Sequence, residues 1–150
     1  MIYYLIASIL IAVAALFART KRAVLAAGIL FYAVQIAAAG LLLWGGLYDT
    51  TSAAFFTFDA LGTLFYLLLV VVSMYVFGHS EAYLQGEDLR SYRLYFALLM
   101  LLTTAIAGAY FANNLAVTWI FLEATTLCSA GIVYHRRTAQ ALEAAWKYVF

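Results

Sequence analysis

Apolar residues in this chain come in long, unbroken runs. Five runs cover Ile2–Ala18, Ala23–Leu47, Ala60–Phe77, Leu94–Phe111 and Leu115–Tyr134, and a sixth opens near Ala141 and reaches Phe150. The five are close to the ~20 residues that a helix needs to cross a hydrocarbon core about 30 Å thick. Strands of a membrane barrel would alternate apolar and polar positions. These runs do not alternate, so the pattern predicts helices, which satisfy their own backbone hydrogen bonds in lipid. The expected fold is all-α: a polytopic transmembrane helix bundle of about five spans plus the start of a sixth. Residues 1–150 then form a single transmembrane domain.

Composition agrees with that pattern. Of 150 residues, 68% are hydrophobic and 10% charged, against roughly 45–50% and 25% in ordinary soluble domains. A net charge of +1 gives no reason to expect nucleic acid. Cys128 is the only cysteine, so it can neither form an internal disulfide nor complete a metal-ligand spacing. In the opening segment, "MIYYLIASILIAVAALFARTKR", the charges follow the apolar run instead of preceding it. A signal peptide has the opposite order, so this segment reads as a retained first helix.

Loop charge then orients the bundle. Arg19, Lys21 and Arg22 follow the first run, Arg90 and Arg93 lie after the third, and Arg136 and Arg137 follow the fifth. The loops "YDTTSAAFFTFD" and "ANN" carry no Lys or Arg. Basic loops stay in the cytoplasm, which places the N-terminus outside. Tyr3, Tyr4, Trp44, Tyr48, Tyr92, Tyr110 and Tyr134 fall near run ends, as interfacial anchors do. The polar stretch "GHSEAYLQGEDLRSYR" reads as a solvated cytoplasmic connector.

Glu123 sits in the middle of "NLAVTWIFLEATTLCSAGIVY". An acid at that depth costs about 2.5–3.5 kcal/mol on insertion scales and marks a functional site by default. Ala116, Trp119, Ile120, Glu123, Thr126, Leu127 and Ala130 share a helix face. The small residues at its ends predict close approach of another helix, so the face is expected to point into the bundle, with the Thr126 hydroxyl one turn away. Desolvation and a nearby cation act on a carboxyl in opposite senses. A carboxyl balanced between them exchanges a proton near neutral pH, as a proton relay requires. The plainer alternative is a neutral Glu that only hydrogen-bonds a neighbouring helix.

Lys147 lies early in the sixth run, and either snorkels to the interface or joins the relay. Glu143 precedes it at i,i+4 spacing. Asp59 reads as an acid at a helix N-terminus. His135 and His79 read as interfacial residues outside any metal cluster. Gln35 is expected to hydrogen-bond between helices. No nucleophile–base pair, redox-metal motif or nucleotide fingerprint is present. On this chemistry the chain is a membrane channel or relay component without a catalytic site of its own.

Three motifs then point to a family. Asn113-Asn114-Leu115 leads to Trp119 and Glu123-Ala124-Thr125-Thr126-Leu127, and Glu143-Ala144-Ala145-Trp146-Lys147-Tyr148 follows. The chain resembles the antiporter-like membrane subunits of complex I, Mrp cation/proton antiporters and energy-converting hydrogenases, above all the large antiporter-like subunit of hydrogenase-4 type complexes. The resemblance runs from about Phe58 to Phe150. "FDALGTLFYLLLVVVSMYV" is similar to the family's third helix, opened by Asp59, with Ala60 where proline is common. The first two helices match only in kind.

The resemblance implies a fold of about fourteen helices with inverted repeats, of which this chain is the N-terminal part. It implies that Glu123 is the central carboxylate of a proton relay and that Lys147 belongs to the same polar chain. A further lysine, on helix seven, lies beyond Phe150. Asp59, Thr126, Glu143 and His135 are the candidate supporting residues. The implied role is a proton-translocating subunit without cofactor or metal, driven by electron transfer elsewhere in a complex-I-like (NADH:quinone oxidoreductase-like) or hydrogenase assembly. Its partners would be the bilayer, other membrane subunits and a peripheral redox arm. Its place would be the bacterial or archaeal cytoplasmic membrane. A sodium/proton antiporter subunit of Mrp type and a structural scaffold with a neutral Glu are the alternatives.

Overall fold

The computed structural model describes residues 2–45 and 55–149, apart from the Arg136 side chain. Six helices follow one another: α1 Ile2–Leu16, α2 Lys21–Leu43, α3 Ala60–Tyr83, α4 Leu89–Phe111, α5 Leu115–Val133 and α6 Ala139–Val149, with a 3₁₀ turn at Tyr134–Arg136 before α6. No strand occurs among the described residues. Each helix after the first starts on a side-chain cap that accepts one of the orphan amides of the first turn. Thr20 accepts from Ala23 N, Asp59 from Gly62 N, Asp88 from Arg90 N, Asn114 from Ala116 N and Thr138 from Ala141 N.

The helices α2 to α5 are long and apolar enough to cross a membrane, and the chain is a helical membrane bundle. At 15 residues, α1 spans only about 22 Å and is shorter than the crossing expected of it. Thr20 caps α2, so the chain has already turned by Lys21. The polar stretch expected to be a connector is mostly helix. α3 runs on to Tyr83 and α4 begins at Leu89, because Ser80, Leu84 and Tyr92 are buried there and Asp88 supplies a cap.

Three basic segments gather at one end of the bundle, here termed the basic end. Lys21 Nζ donates to the Glu87 carbonyl at 2.7 Å and lies 5.3 Å from the centroid of the Tyr92 ring. Arg93 Nη1 donates to the Ala18 carbonyl at 3.0 Å. At the opposite end, Thr57 N donates to Phe111 O and Asn113 N to Phe55 O, with an isolated β-bridge between Phe56 and Ala112.

The core is largely aromatic. α4 is the most enclosed span, burying Tyr92, Phe96, Met100, Thr103, Ala107 and Phe111 among others. Phe96 packs edge-on against Phe77, and Tyr66 and Phe58 pack on Phe111. Gln35 bonds between helices as expected. Its Oε1 accepts from Tyr4 of α1 at 2.6 Å and from Tyr66 of α3 at 2.7 Å. Tyr4 and Tyr92 are therefore turned inward rather than acting as interfacial anchors, whereas Tyr3 and Trp44 are fully outward. Tyr48 lies outside the described residues.

Candidate functional site

The side of α5 that meets α4 is made of small and aromatic residues. Phe121 lies directly on Gly108 of α4, so that any Cβ there would overlap its ring, and Leu98 packs, less tightly, over Gly131. Cys128 is buried on the same side. A helix is drawn in where two backbones approach closely, and glycines allow the closest approach.

Glu123 lies on another side of α5 and is exposed. It sits in a shallow apolar groove with Trp119, Ile120, Ala124 and Leu127, and Trp119 is 67% exposed. The expectation that this face points into the bundle is therefore corrected: of its expected members only Ala130 is buried. The dry α4–α5 contact is filled by Phe121, and a carboxylate there would lose its hydration without a partner.

The hydroxyls of α5 do not reach the acid. Thr126, one turn from Glu123 as expected, donates its Oγ1 hydroxyl to the Glu123 backbone carbonyl at 2.8 Å. Thr118, Thr125 and Ser129 bond back to their own helix in the same way, as such residues do when no other partner is offered.

Lys147 is brought to Glu143 rather than to Glu123. Its Nζ donates to Glu143 Oε1 at 2.6 Å, and both side chains are exposed on α6. A sharp corner separates them from α5. It consists of the 3₁₀ turn, Arg137 in the left-handed conformation at φ 54° and the Thr138 cap. Asp59 caps α3 through Gly62 N at 3.0 Å, the helix-start role expected of it.

His135 was expected at the interface, and it is buried at 6% exposure. Its Nδ1–H donates to the Ile132 carbonyl at 2.7 Å, and its ring lies against those of Tyr95 and Tyr83. Tyr95 in turn shares a hydrogen bond with Ser80. Sequence reasoning missed this aromatic cage, and it missed the contact of Tyr32 Oη with the Ser73 carbonyl. Tyr66, Ser73 and Ser80 recur every seventh position of α3 and are all buried. That spacing, which keeps them on one helix face, was the available signal. Among the described residues no group of three or more His, Cys, Asp or Glu could hold a metal ion.

Comparison with known proteins gives one informative relative. Over 101 aligned residues the chain is 30% identical to a hydrogenase-4 component F homolog of Methylacidiphilum infernorum (isolate V4). The alignment covers 63% of this chain and 21% of the relative, so the chain spans about a fifth of that protein's length. No family model matches, and no solved structure matches. The chain is a helical membrane protein with partial similarity to a hydrogenase component.

Proposed function

We propose that this chain is the N-terminal part of a larger antiporter-like fold and serves as a proton-translocating membrane subunit of a hydrogenase-4 or complex-I-like assembly in the cytoplasmic membrane. One observation carries the reading: a carboxyl at the middle of a membrane-length helix, Glu123, in a chain similar to a hydrogenase-4 component. An ionisable side chain is kept at such a depth when it takes part in moving charge.

In this reading Glu123 takes up and releases the proton. Its face is open in this structure, so the groups that set its proton affinity come from segments or subunits that cover it. Lys147, held by Glu143, is a cation within the same helical region and tunes the relay from α6. Asp59, Thr126 and His135 support it by fixing the ends and the backbone of α3 and α5. Electron transfer elsewhere in the assembly drives the cycle, and the subunit binds no redox group itself.

The test is Glu123→Gln in the intact complex, read in inverted vesicles with an acid-sensitive dye. Proton transport should be abolished while electron transfer is partly retained. Undiminished pumping would sink the proposal and favour a scaffold with a neutral Glu. Sodium-dependent transport without a co-purifying redox subunit would move the assignment to an Mrp-type antiporter.

A further inference from the structure

α1 and α3 turn large apolar side chains outward, among them Ile6, Leu10, Leu64 and Leu68. Between α2 and α3 the outer surface is hollow instead. A groove of about 340 Å³ opens there, lined by both helices. It exists because Ala33 and Gly78 bring almost no side chain to it, and a Cβ added at Gly78 would meet nothing within 4 Å. Its floor is fixed. Tyr32 is buried and its Oη donates to the Ser73 carbonyl at 2.8 Å. Phe77 rests so closely on Gly28 that a Cβ there would overlap the ring. Ile29, Ile36 and Met74 line the groove and are exposed.

One face of α2 leads from this groove to the basic end. Arg22, Ala26, Ile29, Ala33 and Ile36 follow at i, i+4, i+7, i+11 and i+14 spacing and so share a face. All five are exposed, and the small Ala26 leaves the way from Arg22 to Ile29 open. Lys21 is already engaged by the Glu87 carbonyl and the Tyr92 ring. The Arg22 guanidinium has no partner among the described residues. The acid nearest in sequence on the α3 side is Glu81, three residues beyond Gly78, and it turns an anion toward α2. Arg22 and Ile36 are 14 residues apart, about 21 Å along the helix. One leaflet with its headgroups is about 20–22 Å thick. A lipid with its phosphate at Arg22 therefore lays an acyl chain along residues 29–36.

We propose that the α2–α3 groove binds one anionic phospholipid, with its phosphate on Arg22 and an acyl chain over Tyr32 and Phe77. The walls offer no polar side chain that could bond to a protein partner. A helix with its side chains is about 10–12 Å across, too wide to enter a groove of this size, whereas an acyl chain is one methylene wide. Charge selects the headgroup, because a zwitterionic lipid brings its own cation next to the arginine. The proposal is independent of the proton-transport reading.

The test uses the assembled complex in phosphatidylcholine vesicles. These contain a trace of phosphatidylglycerol or of phosphatidylcholine with a photoreactive acyl chain. After illumination, mass spectrometry locates the label. Photoreactive phosphatidylglycerol should label residues 29–36 and 74–78 about fivefold more than photoreactive phosphatidylcholine, the preference that one arginine at a membrane surface confers. Arg22→Gln should remove the preference, Arg22→Lys should keep it, and Ala33→Phe should lower the label from both lipids. Equal labelling by the two lipids, or a preference that survives Arg22→Gln, overturns the proposal. So does an unlabelled groove, which would mean that another protein segment covers it.

Discussion

An amide and an acid lie deep in the apolar runs, and the bundle treats the two in opposite ways. Gln35 is enclosed and holds three helices together through two phenols. Glu123 is left on an open face of α5. An amide can be satisfied by neutral partners inside a dry interface, whereas a carboxylate cannot be without a cation or water. Gln35→Leu should therefore destabilise the bundle sharply. Tyr66 Oη would keep only its 3.1 Å bond to the backbone, and Tyr4 Oη would lose its acceptor. An orphaned buried donor costs about 1–3 kcal/mol. Tyr66→Phe, which removes the donor together with its need, should cost less. Thermal midpoints of the two variants check the order, and equal losses would contradict it. The role of Gln35 was legible in the sequence because a neutral amide in an apolar run has few other uses. The direction of Glu123 was not. Counting along a helix groups residues into faces, but α5 has small residues on two of them, Ala116 and Ala130 on one and Ala124 and Gly131 on the other. Which face is taken depended on Gly108 and Leu98 of α4, which no count along α5 can reveal.

At the scale of elements, helix identity was written in the apolar runs, and helix ends were written in the caps. Asn114 and Thr20 lie where polar residues precede a run, and the observed starts follow them. Where the cap sits inside a longer polar stretch, as with Asp88, hydropathy alone hid two helix ends. Packing between elements gives a direct check. Gly108→Val would drive a branched side chain into the Phe121 ring, and overpacking of this kind costs about 1–3 kcal/mol. Gly78, in the last two turns of α3, has nothing within 4 Å of an added Cβ. There Gly78→Ala should stabilise α3 by about 0.5–1 kcal/mol, the usual gain of alanine over glycine in a helix. Thermal stability of the two variants should thus move in opposite directions. Parallel movement would mean that α5 does not dock on α4 through Gly108.

For the whole molecule, the alternation of basic loops with loops that carry no Lys or Arg held more information than any single residue. It said that the corners after α1, α3 and α5 share one side, and the contacts of Lys21 with Glu87 and of Arg93 with Ala18 join the first two of these corners. The rule that keeps basic loops in the cytoplasm predicts the side of the membrane on which they stand. Single cysteines in a Cys128→Ser background test it, because Cys128 is the only thiol in these 150 residues. Gln85→Cys and Gln140→Cys are exposed at the basic end, and Asn113→Cys at the other. In intact cells an impermeant maleimide should label only Asn113→Cys, and in inverted vesicles only the other two. The reverse pattern would turn the bundle over. The cluster around Gln35 would then lie in the cytoplasmic half of the membrane. Glu123, about 12 Å along α5 from Leu115, would keep its depth, and the proposed relay would take its proton from the other side. A midway position makes the carboxyl nearly indifferent to orientation in cost, so the loops, and not this residue, decide which way the bundle stands in the membrane.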